Sequence, residues 1–350
     1  MAPLRAALPF VLACVLSVGV ESASAACARP LGWSALQPAL GLRIDNDWLG
    51  GDGQDVGYTS GLQVTLRTGN LQGLDEPDCL PFSVRSVNGV VDWLNPTGLD
   101  QKNVVFSVFH GIFTPADDEA TEPIPNDRPY AAVLLFGAGY NARRGNSMHN
   151  TQLRLGIVGP SAKGEQVQNG VHKVIGANES RGWKNQLHDE PVLQLLHERL
   201  RRVEFASVPF GLESDLIGHL GGSLGNFATY ANAGAEWRFG RNLSTDFGTD
   251  PLRSEGENIA RGDAPPQRWA WHFFLSFDVR AVAHNITLDG NTWKDSPGVD
   301  KRRWVADLGY GAAVVHGSWK LVLSQYLRTR EFEGQQHHPV FGSLTLVRQL

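Results

Sequence analysis

Beyond its first residues this chain has no uninterrupted apolar run long enough to cross a bilayer as a helix, which excludes a helical membrane protein. It has no basic cluster either. Its formal net charge is -5, which offers no broad attraction to nucleic acid, and no nucleic-acid motif is present. There is no zinc-type His-Glu-x-x-His and no P-loop, so those two classes of site are absent. No repeat of fixed period appears. Cysteine is scarce, 3 in 350 residues. Cys14 falls in the leader, and Cys27 and Cys79 remain as an even pair. A bridge from the mature N-terminus to the 70–90 loop and two separate thiols are both compatible with that spacing.

What is present begins with a targeting segment. Arg5 supplies a positive start, Ala6 to Val20 is mostly apolar, and Ala23-Ser24-Ala25 has the small-x-small form of a cleavage site. Residues 1–25 read as a signal peptide and 26–350 as the mature domain. The full chain is 42% hydrophobic and 19% charged, with 39 Gly, which is not the composition of a disordered protein.

The recurring pattern is alternation. Leu62, Val64 and Leu66 alternate with polar neighbours. Ala132, Leu134, Phe136, Ala138 and Tyr140 share a face, as do Leu153, Leu155 and Ile157, and Phe273, Leu275, Phe277, Val279 and Ala281. The series Trp304 to Val314 and Trp319 to Leu323 continues it. Period two predicts strands with one apolar and one polar face. A sandwich would bury the apolar faces between sheets, and an outer-membrane barrel would turn them to lipid. Several runs approach the ~9–11 residues of a tilted membrane strand. Trp271, Trp304, Tyr310, Trp319 and Tyr326 fall near strand ends, where an interfacial girdle belongs. Residues 68–103 and 241–267 read as long loops. Lys163 to Ile175 reads as a helix, and Glu190 to Arg202 as a second, with Leu193, Leu196 and Leu200 at helical spacing.

Three clusters could carry chemistry. Asp45-Asn46-Asp47 and the Gly- and Asp-rich run to Asp55 offer oxygen ligands for a hard cation such as Ca2+, though a polar hairpin turn needs the same residues. Gln168 and His172 stand four apart, on one face of the expected helix, and an imidazole can act as a base near neutral pH. Arg128, in Asn126-Asp127-Arg128-Pro129-Tyr130, could meet a phosphate or serve in a structural ion pair at a strand start.

The order of these motifs is similar to that of the outer-membrane lipid A 3′-O-deacylase family. The matching pieces are Asn46-Asp47, Gly57-Tyr58-Thr59-Ser60-Gly61, Ile112-Phe113-Thr114-Pro115 and Asp127-Arg128-Pro129-Tyr130. Gly159-Pro160 through Gln168 to His172, Gly182-Trp183 and Glu190-Pro191 follow. The resemblance runs from about residue 41 to the C-terminus and is dense over 45–191. It implies an all-β, transmembrane antiparallel barrel of about twelve strands with short helices in extracellular loops. It implies Ca2+-dependent hydrolysis of the 3′ acyloxyacyl ester of lipid A. His172, Gln168, Asn46, Asp47 and Thr59 become the catalytic set, with Asp47 as metal ligand. Arg128, Glu190 and Ser60 become substrate contacts. The implied partners are lipopolysaccharide and the barrel-assembly machinery, with the chain a monomer of the Gram-negative outer membrane. One departure is the C-terminus, Val347-Arg348-Gln349-Leu350, where such barrels usually end on an aromatic residue. The competing readings are a serine-dependent acyl hydrolase, using Ser60 or Ser161 with His172, and a passive porin or binding barrel.

Overall fold

A computed structural model describes residues 31–47, 57–73, 79–94, 98–205, 211–243, 246–248 and 269–350. The signal segment, Cys27 and the acidic run 48–56 lie outside the described residues. The strands are β1 (Ala39–Asn46), β2 (Gly57–Arg67), β3 (Gln101–Thr114), β4 (Ala131–Arg144), β5 (Ser147–Val158) and β6 (Glu190–Glu204). They continue with β7 (Glu213–Gly225), β8 (Ala228–Arg241), β9 (Ala270–Asn285), β10 (Trp304–His316), β11 (Trp319–Arg328) and β12 (Val340–Gln349). Each pairs antiparallel with its sequence neighbours, and β1 also pairs with β12, from Ala39↔Gln349 to Asn46↔Gly342. The sheet is therefore a closed barrel. Closure satisfies every strand's backbone groups, which lipid cannot do.

The alternating faces separate as lipid requires. Leu62, Phe136, Leu155, Leu193, Phe273 and Leu323 stand exposed on the outer wall. The interior holds the polar halves of the same strands, including Arg43, Gln152, Arg154, Asp215, Arg238 and Asp278, all buried. An apolar cluster of Tyr58, Phe109, Phe113, Phe227, Tyr326 and Phe341 fills one end of the lumen. The inside is thus packed with side chains. Phe277, midway along β9 and half exposed, marks the lipid band. Phe277→Arg is expected to cost roughly 2–4 kcal/mol near the bilayer midplane. A lowered yield of heat-modifiable, folded barrel checks it, and an unchanged yield would place Phe277 outside the hydrocarbon.

The start of β1 and the end of β12 share one end with the tight turns Gly145-Asn146 and Gly317-Ser318. That end is periplasmic, since short turns face the periplasm in such barrels. A helix there, α1 (Phe82–Leu94), packs on the outer faces of β3 and β4, with Val84 on Val104, and Val91 on Tyr140 and Ala142. At the extracellular end α2 (Gly164–Ile175) packs on β3 and β4.

Three expectations are corrected. The 68–103 segment contains α1 as well as loop. Glu190 to Arg202 is strand β6, not a helix. Its Leu, Gln, Glu and Arg residues favour helix locally, but two neighbouring strands supply its hydrogen bonds, and Leu193 and Leu195 turn to lipid. Tyr326 lies inside the barrel, stacked on Phe341 with ring centroids 5.1 Å apart, so it is no part of an outer girdle. Cys79 is disulfide-bonded.

Candidate active site

The site is built on the outer wall rather than in the lumen. Outward positions alternate along each strand, so Leu42, Ile44 and then Asn46 face out on β1, and Ser60 and Leu62 on β2. The register aligns Asn46↔Ser60, Ser60↔Ile112 and Ile112↔Ala132 in one row. Ile112 and Ala132 are the seat of the loop helix, in a buried cluster with Tyr130, Ala162 and Trp183. Two strand spacings of ~4.8 Å separate Asn46 from Ile112, about 10 Å, within the reach of one lipid substrate.

Helix α2 approaches this wall closely because it begins on a glycine. A Cβ at Gly164 would stand 2.4 Å from the Trp183 ring and 2.5 Å from Ala132 Cβ. The helix ends at Gly176, whose φ of 78° is left-handed. Its buried face is Gly164, Gln168 and His172, the shared face that four-residue spacing predicts. His110 Nε2 is 2.8 Å from Ala162 O and ties the approach to β3.

The polar partners fix orientation. His172 Nδ1 hydrogen-bonds Asn178 O. A carbonyl can only accept, so Nδ1 carries the proton, and in the neutral ring the lone pair belongs to Nε2. Trp183 Nε1 donates to Gln168 Oε1 at 3.1 Å, which sets the amide with its NH2 as the donor end. Asn169 and Ser180 bond reciprocally, at 3.2 and 2.9 Å, and Ser180 Oγ donates to Asp118. At the β1–β2 rim, Asn46 Nδ2 and Asp47 N both donate to Thr59 O, at 3.1 and 3.2 Å. Thr59 Oγ1 lies 2.6 Å from Thr114 Oγ1. Asp47, Thr59, Gln168 and His172 are all buried.

The structure thus places Asn46 and Ser60 on the same wall and at the same end as Gln168 and His172, with Asp47 and Thr59 beside them at the β1–β2 rim. It does not bring Arg128 or Glu190 there. Arg128 lies inside the mouth, over the Phe113 ring at 5.5 Å and 3.5 Å from Glu331. It borders a cavity of about 420 Å³ lined by Gly57, Asp127, Phe332 and Gln335. Burial pushes the Glu331 carboxyl up, but Arg128, Arg328 and Arg280 more than offset this and hold it below its ordinary value. Glu190 faces inward and spans two turns, accepting from Asn226 Nδ2 at 3.0 Å, Asn291 Nδ2 at 3.2 Å and Thr292 N at 2.9 Å. Both serve the loops of the mouth.

The serines divide similarly. Ser161 Oγ donates to Asp189 at 2.7 Å, away from His172. Gly221-Gly222-Ser223-Leu224-Gly225 has the spacing of a nucleophile elbow, but it is extended β7. Ser223 faces the lumen and donates to Ala228 O at 2.9 Å. Sequence reasoning gave no role to Thr114, Asn178 or Trp183. The Ile-Phe-Thr-Pro and Gly-Trp motifs contained two of them, and nothing local marks Asn178.

Among the described residues no three His, Cys, Asp or Glu side chains cluster as a metal site. The oxygens at the rim suit a hard cation all the same: the Asp47 carboxylate, the Asn46 amide and the Thr59 carbonyl and hydroxyl, with no sulfur or imidazole among them.

A model of the family described as outer membrane protein LpxR matches residues 10–350. The solved structure of LpxR from Salmonella typhimurium aligns with TM-score 0.69 at 19% identity, over 89% of this chain and 100% of that one. The β domain of the Bordetella autotransporter BrkA aligns with TM-score 0.43 at 11% identity, over 89% and 98% of the two chains. None of the curated proteins matches.

Proposed function

The chain belongs to the LpxR family of outer-membrane proteins, and from that premise we propose that it is a lipid A deacylase that hydrolyses the 3′-linked acyloxyacyl ester. The observation that carries the reading is the hydrogen bond from His172 Nδ1 to Asn178 O, on a helix clamped to the outer wall. It leaves Nε2 as the basic atom of a buried imidazole beside a lipid-facing surface. A lipid embedded in the outer leaflet meets this wall without entering the lumen.

In the proposed reaction His172 Nε2 takes a proton from water, which attacks the ester carbonyl carbon. The proton returns from His172 to the departing sugar oxygen as the C–O bond breaks, giving a free fatty acid and a hydroxyl. The Gln168 amide, held by Trp183, presents N–H donors to the water or the developing oxyanion. Asn46, fixed to Thr59 O, orients the substrate from the facing side. Asp47, with Asn46 and Thr59, would hold Ca2+, which supplies Lewis-acid polarisation of the ester carbonyl when bound. The reading assigns Arg128 and Glu190 no contact with the ester.

Mass spectrometry of lipid A from cells with and without this chain tests the proposal. Loss of the 3′ acyloxyacyl mass, stopped by chelation and restored by Ca2+, is the expected result. Lipid A of unchanged mass would end the reading, and activity insensitive to chelation would remove the metal. Trp183→Phe keeps the ring packing but releases Gln168 Oε1. It is expected to lower kcat roughly tenfold, the scale of one neutral donor lost near the reacting groups, with KM little changed. A rise in KM alone would make Trp183 a packing residue only.

A further inference from the structure

On β4, β9 and β10 the outward residues are apolar over the height of a membrane. On β9 they run from Trp271 to Ala281, roughly 34 Å along the strand and about 26 Å along the membrane normal at the ~40° tilt of such barrels. On β6 they run only from Pro191 to Leu195, roughly 14 Å along the strand and about 10 Å along the normal. Below them the outward positions become His197, Arg199 and Arg201, all exposed. On β5 the same level carries His149 and Thr151.

These groups are not at the bottom of the barrel. The register sets Arg199 opposite Leu220 and Arg201 opposite Gly218 on β7. Leu220 is exposed on the lipid face, and Leu216 and Trp237 lie nearer the periplasm still. Crossing one strand changes the height by only ~3 Å at such a tilt. Two guanidinium groups therefore sit level with lipid-facing leucine. Ionisable groups at membrane depth are costly without an opposite charge.

Among the described residues no acidic side chain supplies that charge. No Asp or Glu occupies an outward position on β4, β5, β6 or β7. Among the described residues Arg199 and Arg201 form no ion pair, and Asp92 of the neighbouring α1 is held by Lys102 at 2.7 Å and Asn88 at 3.0 Å. The patch is ordered: the His149 and His197 rings lie 5.8 Å apart at an interplanar angle of 43°, and Thr151 Oγ1 lies 2.8 Å from His197 Nδ1. It is flanked on the β4 side by α1, seated on Tyr140 and Ala142. That helix leaves Phe82, Val90, Trp93 and Leu94 exposed, an apolar stripe beside a basic patch, as in an interfacial helix.

We propose that the notch formed by His149, His197, Arg199 and Arg201 beside α1 binds the phosphate of an anionic glycerophospholipid from the periplasmic leaflet. The headgroup is drawn up against the wall, and the bilayer thins there to meet the short apolar band of β5 and β6. The exposed stripe of α1 packs the acyl–headgroup boundary beside it. The inference needs only the outer-membrane barrel and is independent of the hydrolase chemistry.

Native mass spectrometry of the full-length barrel, released from mixed micelles containing phosphatidylglycerol or phosphatidylethanolamine, tests it. The wild-type chain is expected to retain one phosphatidylglycerol in preference to phosphatidylethanolamine. Arg199→Gln/Arg201→Gln is expected to reduce that retention roughly thirtyfold, on the scale of two interfacial cations. Arg241→Gln, an exposed cation on β8, serves as the control and should change nothing. Glycerol phosphate in excess should not displace the lipid, and displacement would show a free-anion site instead. Equal retention of the two lipids, or full retention by the double variant, would overturn the proposal. Should the double variant fail to fold, Arg199→Lys/Arg201→Lys is expected to keep the preference, and its loss in that folded, equally charged variant would count equally against it.

Discussion

His172→Ala is expected to reduce ester hydrolysis by roughly 10²–10⁴-fold, the usual weight of a positioned general base. The barrel should stay intact. His172 lies on a loop helix outside the wall, and twelve strands close without it. The helix keeps its seat through Ala162, Trp183, Ile112 and Ala132. The check pairs an acyl-release assay on purified lipopolysaccharide with heat-modifiable migration of the variant. Hydrolysis at the wild-type rate by a folded His172→Ala chain would end the general-base role. His172→Gln adds resolution, because an amide can donate to Asn178 O as the ring does but cannot accept a proton near neutral pH. It should restore the helix contact without restoring the rate. Recovery of the rate by glutamine would make the residue a positioning group.

Arg238→Met is expected to destabilise the barrel by roughly 3–5 kcal/mol, the cost of breaking a buried ionic network from one side. Arg238 is fully buried in the lumen toward the periplasmic end. It donates to Asp215 through Nε at 2.8 Å and NH2 at 2.7 Å, and through NH1 to Asp246. Without it, Asp215 keeps Arg202 at 2.6 Å and Asp246 keeps Lys320 at 3.0 Å. Each carboxylate then has fewer partners, in a place where water is scarce. Asp246 comes from the loop after β8, so the same change loosens the segment carrying Phe247, which packs on Met148, Leu200 and Ile217. A lower temperature of conversion to the unfolded gel band, with faster proteolysis in that loop, is the expected result. An unchanged conversion temperature would show that Arg202 and Lys320 suffice.

These two residues show how unevenly the sequence announces its parts. His172 was legible because its spacing from Gln168 implied a shared helical face and because it sat in an ordered set of motifs. Arg238 carries no local sign, since an Arg between Trp237 and Phe239 reads as one more polar position on an alternating strand. Arg128 shows the reverse. Its motif was conspicuous, and the structure places it with Glu331 and Phe113 inside the mouth. A turn residue's direction is set by the strands on either side of it, and those were not written in the tetrapeptide. In β6, local preference pointed to helix and pairing on both edges overrode it.

The sequence by itself determined that this chain is built of strands with one apolar and one polar face, because period-two alternation repeats over many segments and a side chain's face depends only on its parity along the strand; the choice of an outer-membrane barrel over a sandwich came from the resemblance of its ordered motifs, since alternation fits both. It also determined that a helix bears Gln168 and His172 together, because that face depends only on a four-residue interval. Only the tertiary structure decided that the helix bearing Gln168 and His172 seats on the outer wall, that Asn46 and Ile112 share a row, and that Arg199 stands level with Leu220. Those facts depend on register between strands remote in sequence. Register is fixed by barrel closure and by the filling of one common lumen, so no segment contains it alone.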